Sequence, residues 1–160
     1  MDRNLMWCFG LKDGLRVTQP NERLARAYLT DAASSLGRAE KNFRDGDLLW
    51  TTIVVYYAEY YALYSFLQRI GVKCGNHACS ALAARFLLGA DSIAILDQHR
   101  GKRIDAQYYM KVGRDDDVRE MLLEAKKFVS RFDETISGLT EDEIHAHRER
   151  LRAASRRGSK

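Results

Sequence analysis

Between Leu48 and Ile70, apolar side chains occupy nearly every side of a helix: Leu49, Trp50, Ile53, Val54, Tyr57, Tyr61, Leu63, Phe66 and Leu67 are spread around it. A helix that is apolar all round has no face to give to water and must be covered on several sides. Glu59, Gln68, Arg69 and a set of tyrosines interrupt the stretch. It therefore reads as the central helix of a bundle rather than a membrane span, and no membrane partner is expected.

The elements that cover it are written in the same period. Leu24, Tyr28, Ala32, Leu36, Ala39 and Phe43 recur in steps of three and four, which predicts a first long helix over 21–44 capped by Asn21. Gly46 and Asp47 end that helix and cap the hub, which Gly71 closes. An apolar run from Ala78 to Leu88 lies between a polar connector at 73–76 and a break at 89–92, and two shorter helices fit this region. Val118, Met121, Leu122, Ala125, Phe128, Val129, Phe132 and Ile136 mark the last core helix, opened by the acidic residues 115–117. Thr140 and Glu143 have the spacing of a capping box and open a final, strongly charged helix. No alternating run bounded by hairpin turns competes. The expected fold is all-α, an up-and-down antiparallel bundle of four to five core helices plus a charged C-terminal helix. Its organisation is an irregular leader over 1–20, the bundle over 21–137, and the charged helix with its basic tail over 138–160.

With 160 residues, 46% of them apolar, and a single Pro, the chain has the length of one domain and can build a core without a disulfide or metal staple. Its three cysteines, Cys8, Cys74 and Cys79, are an odd number, and the N-terminal segment shows no basic stretch followed by a long apolar one. Both features favour a reducing, cytoplasmic setting. The net charge of +4 is concentrated: from Arg148 onward there are six Lys and Arg against Glu149 alone, so residues 1–147 sum to −1. Because the apolar stripes end at Ile136, the segment from Arg148 is expected to be dispensable for folding while strengthening any salt-sensitive association with RNA.

Two constellations carry chemistry. Tyr56, Tyr57, Tyr60, Tyr61 and Tyr64 share one side of the hub helix, either as core packing with satisfied hydroxyls or as a stacking wall for bases. The segment 100–109 holds Arg100, Lys102 and Arg103, then Asp105, Tyr108 and Tyr109. If it is helical, Arg103, Gln107 and Arg100 share a face, and His77 from the preceding connector can approach them across the bundle to make an anion site. The competing reading is a surface ion-pair cluster of Arg103 with Asp105 or a neighbouring acid. Cys74, His77 and Cys79 are ligand types in a spacing that is no established zinc pattern, and His99, His145 and His147 stand alone. Phosphate-cradling glycine loops, nucleophile elbows and H-E-x-x-H motifs are absent, so neither a metal nor a cofactor is expected.

Tyr56-Tyr57-Ala58-x-Tyr60 on an apolar second helix is followed by a connector ending in His77, then Arg103-x-x-Ala106-x-Tyr108, then a helix with Ala125-x-x-Phe128-Val129. This order over about 21–137 resembles the HEPN (higher eukaryotes and prokaryotes nucleotide-binding) domains. The leader from Trp7-Cys8 to Pro20-Asn21 looks like an archaeal-type branch. The resemblance implies a helical bundle that commonly forms a homodimer and is often encoded beside a minimal nucleotidyltransferase. Many members are metal-independent ribonuclease toxins of toxin–antitoxin systems, and others are their non-catalytic relatives. The ribonucleases carry an Arg followed by a His after four to six intervening residues, a spacing that none of the four histidines here has; Arg69 and His77 have seven residues between them.

Two functions follow as expectations. One is a non-catalytic binding module that docks a nucleotidyltransferase, or binds nucleotide or RNA, through His77, Arg100, Arg103, Asp105 and Tyr108, with Tyr57 and Tyr61 alongside. The other is a divergent endoribonuclease with His77 as base and Arg103 as phosphate clamp. It requires the two side chains to meet at one phosphate.

Overall fold

A computed structural model describes residues 3–157. The last residues of the basic tail, Lys160 among them, and the first two of the leader lie outside the described residues. The elements are α1 (Arg3–Gly10), β1 (Arg16–Val17), α2 (Glu22–Arg44), α3 (Leu48–Arg69), β2 (Val72–Lys73), α4 (His77–Leu88), a 3-10 turn (Ala90–Ser92), α5 (Ala94–Tyr109), α6 (Asp115–Gly138) and α7 (Glu141–Arg157). The chain is all-α apart from the two-residue ladder of β1 with β2.

Helix starts follow side-chain chemistry. Asn21 accepts from the Leu24 amide at 2.9 Å, Asp47 from Trp50 at 3.0 Å and Asn76 from Cys79 at 3.1 Å, each satisfying a first-turn N–H that the helix itself cannot pair. Thr140 and Glu143 make the reciprocal pair of a capping box. The hub is α3. It packs against α2, α4, α5 and α6, and Ile53, Val55, Ala58, Ala62, Leu63, Phe66 and Leu67 are buried around its circumference. The α6 stripe from Val118 to Phe132 is buried as its period requires, while on α2 the buried positions are the small residues Ala25, Ala32, Ser35 and Ala39, which let the two helices approach closely.

Three expectations are corrected. The leader is not irregular: α1 folds onto α4 and α7 and sinks Leu5 and Cys8 into the core, with Leu15 following from the loop before β1. Its short helix lacks the repeated period that marks the long ones. Second, a covalent staple is present. Cys8 is bonded to Cys79, closing a separation of 71 residues, and Cys74 is left buried and free. The odd count is thus one pair plus one thiol, and it lends no support to a reducing setting. Third, α7 is part of the fold. Ile144, Leu151 and Ala154 are buried, and the Arg148 guanidinium reaches inward to donate to the Thr18 and Ile70 carbonyls. That approach needs Gly71, whose φ is +75° and whose Cβ would stand 2.2 Å from the Arg148 guanidinium. Arg150 donates to the Phe86 and Leu87 carbonyls, capping the C-terminal end of α4. Arginines that sequence assigns to solvent are here hydrogen-bond donors to backbone carbonyls.

Candidate anion site

Tyr56, Tyr57 and Tyr60 lie on the side of α3 that meets the first turn of α4. There His77, the first residue of that helix, lies flat on Tyr60 with ring centroids 3.7 Å apart and planes 7° from parallel. Its Nδ1 is 3.0 Å from the Tyr56 hydroxyl, and Tyr57 meets it edge-on at 6.2 Å. The imidazole is therefore fixed on three sides by aromatic side chains of one helix.

From α5, Arg103 lays its guanidinium over the Tyr56 ring, 4.8 Å from the centroid, and stands 6.0 Å from that of Tyr57. Gln107, one turn on, accepts from Arg103 Nη1 at 3.0 Å, as the shared face requires. Arg100 belongs to the same group: it and Arg103 both act electrostatically on His77 and on Tyr56. Among the described residues neither arginine has a carboxylate partner, and the Nε of each is buried without a hydrogen-bond acceptor. The ion-pair reading of this segment is therefore not what forms.

Burial first, then the fields of Arg103 and Arg100, holds His77 below the ordinary range of a histidine. It is a neutral imidazole near pH 7, offering one donor and one acceptor. The Tyr56 hydroxyl engages one of its two ring nitrogens, Nδ1. Burial likewise raises Tyr56 above the usual phenol range, against the pull of Arg103 and Arg100. Two guanidiniums and a neutral imidazole thus stand beside aromatic faces, a combination of groups that suits a phosphate attached to a base.

The other expected residues separate. Tyr61 is on the same side of α3 but forms a second aromatic group with Tyr57 and Tyr28, at 6.3 and 5.9 Å, and Tyr28 in turn meets Tyr64 edge-on at 4.8 Å. Asp105 is exposed on another face, where it lines a cleft with Lys102, Lys111 and Asp117. Tyr108 stands 66% exposed near the end of α5, away from the cluster. Both departures follow from helix phase: 105 and 108 are two and five residues from Arg103, not three or four. Tyr56 and Tyr60, which hold His77, share the period of the tyrosine stripe. Their role rests on the packing of α4 across α3, which no local spacing encodes.

A second group is one that the sequence reading does not assemble. His99 is wholly buried, with Nδ1 2.6 Å from Glu59 Oε1 and Nε2 2.7 Å from Glu124 Oε2. Burial alone would depress it, but the hydrogen bonds and charges of Glu59 and Glu124 prevail and hold it above its ordinary value. Glu59, fully buried on α3, is itself raised by desolvation. Far from standing alone, His99 joins three helices. Glu59, an acid inside an otherwise apolar helix, was the only sign of it.

The cysteine and histidine spacing at 74–79 is not a thiolate set, because Cys79 is consumed by its bond to Cys8. Among the described residues no group of three or more His, Cys, Asp or Glu is placed to hold a metal ion, and no helix is long and apolar enough to cross a membrane. In comparisons with known proteins, no family model, no curated protein and no solved structure matches this chain.

Proposed function

We propose that this protein is a HEPN-like binding module that takes a phosphate of a nucleotide or RNA between Arg100, Arg103 and His77, with an attached base against the exposed parts of Tyr57 and Tyr61. The observation that carries this reading is the pair of guanidiniums on one face of α5 that, among the described residues, have no carboxylate partner and have buried, unpartnered Nε groups. Cations held together without counter-charge are costly, and an anionic ligand relieves the cost. The aromatic neighbours favour a ligand with a π-face over inorganic phosphate alone. A homodimer and a minimal nucleotidyltransferase are the protein partners implied by the HEPN resemblance, and the exposed Tyr108, Tyr109 and Met110 at the end of α5 are apolar surface for such a partner.

The test is fluorescence anisotropy of a labelled ten-nucleotide single-stranded RNA over a salt series, with AMP as competitor. Arg100→Ala and Arg103→Ala are each expected to weaken binding by about tenfold and to flatten its salt dependence. Unchanged affinity in both folded variants would refute the assignment.

One observation favours a second reading, metal-independent RNA cleavage. His77 and Arg103 contact the same Tyr56 side chain, one at its hydroxyl and one at its ring face. A neutral His77 can take the proton of a ribose 2′-OH as that oxygen attacks the phosphorus, and the arginines can stabilise the charge developing on the phosphorane. The products are a 2′,3′-cyclic phosphate and a 5′-hydroxyl. Cleavage of RNA in EDTA, lost in both His77→Ala and Arg103→Ala, is the expected result of this reading. An inactive wild type leaves the binding role alone.

A further inference from the structure

His99 is held between carboxylates of two different helices, Glu59 on α3 and Glu124 on α6, at 2.6 and 2.7 Å. Two such bonds take two protons, so the chain is complete as an imidazolium between two carboxylates, or as a neutral imidazole with one carboxyl protonated. Burying these groups is expensive, and an apolar side chain of similar volume would pack there at less cost. What the polar chain supplies is direction. Satisfying both nitrogens of the ring at once constrains the rotation of α5 about its axis and its height along it.

That rotation decides where the arginines stand. Arg103 is one turn beyond His99 on the same face, and Arg100 is its immediate neighbour. We propose that Glu59, His99 and Glu124 form the positioning chain of the cationic site, locking α5 in the rotation that turns Arg100 and Arg103 onto Tyr56 and toward His77. His99 is on this account a positioning residue, acting through α5. The charged groups acting on it from the packed helices are Glu59 of α3 and Glu124 of α6, and Glu124 shares a cleft with Lys127 and Arg131 of its own helix. The inference rests on reading the arginine cluster as the ligand site, yet the geometry it concerns exists without ligand.

The experiment uses that independence. Burial depresses His77 first, and Arg103 and Arg100 depress it further through space, so in a variant that keeps the His77–Tyr60 stack a change in the midpoint of its imidazole NMR titration reports a movement of the guanidiniums, with no ligand present. Glu124→Ala opens the chain at its partly exposed end, where the Glu124 side chain is 27% accessible, and His99→Leu removes both bonds while keeping volume. Glu124→Gln keeps a hydrogen-bonding group opposite Nε2. In Glu124→Ala and His99→Leu the His77 midpoint is expected to move up toward its ordinary value, and affinity for the ten-nucleotide RNA to fall about tenfold. In Glu124→Gln both stay close to wild type. A His77 midpoint unmoved in folded Glu124→Ala overturns the proposal and leaves the chain a purely structural one, whether or not His99→Leu folds. If wild type binds no RNA, the ligand reading fails while the His77 midpoint still decides the positioning.

Discussion

His77 and Tyr60 lie face to face, 3.7 Å between ring centroids, at the point where the first turn of α4 crosses α3. The stack buries one face of the imidazole, and the two arginines of α5 add their positive charge nearby. Wild-type His77 should therefore titrate below a free histidine, and Arg103→Ala should raise its midpoint by removing the larger of the two arginine fields. Histidine NMR over a pH series checks both. A midpoint at the ordinary value in wild type would mean that the cluster does not assemble.

The C-terminal helix gives the next prediction. Arg148 is buried and donates to two backbone carbonyls, those of Thr18 and Ile70. Its removal leaves both acceptors without this donor at a cost of about 1–3 kcal/mol. Arg148→Ala should thus lower the urea midpoint. Truncation before Arg148, which also removes the buried Leu151 and Ala154, should lower it further.

The disulfide links α1 to the turn that carries His77. A cross-link over 71 residues restricts the unfolded chain enough to contribute about 2–4 kcal/mol. Oxidised protein should show one reactive thiol per chain when denatured, from Cys74, and three after reduction. Cys8→Ser should lower Tm to that of the reduced wild type.

The long helices were legible because each repeats its apolar face several times: Val118 to Phe132 and the all-round burial of α3 emerge from period alone. The site was half legible. His77, Arg100 and Arg103 stand out by residue type, and the packing of α4 and α5 on α3 puts His77 and Arg103 on the same Tyr56. Asp105 and Tyr108 were included for their nearness in sequence, and helix phase turns them elsewhere. Glu59, His99 and Glu124 are separated by 40 and 25 residues, and nothing local ties them together. Nor does any local pattern show that Arg148 turns inward, since a basic run reads as solvated until its backbone acceptors are known.

Stability should depend on pH with two opposing signs. His99, raised in the folded state, contributes stability that is complete below its unfolded value near 6.5 and is lost as pH rises through its folded value. Glu59, also raised, acts in the same direction from its unfolded value of 4.5 upward. His77 and His147 are depressed, so their effect is a loss of stability that sets in as pH falls below 6.5. Above that pH only the first direction operates among these four groups. The urea midpoint is expected to decline on going from about pH 7 to pH 9. A midpoint that rises over this range would contradict the protonated chain around His99.

The most direct test of the account follows the His77 imidazole by NMR while single-stranded RNA is added to the wild-type protein at low salt. If the phosphate sits between Arg100, Arg103 and His77, the His77 resonances shift on binding and their midpoint rises, because a bound anion favours the imidazolium. Saturating RNA that leaves His77 unmoved, while resonances of α7 respond, would contradict the assignment and move the site to the last helix.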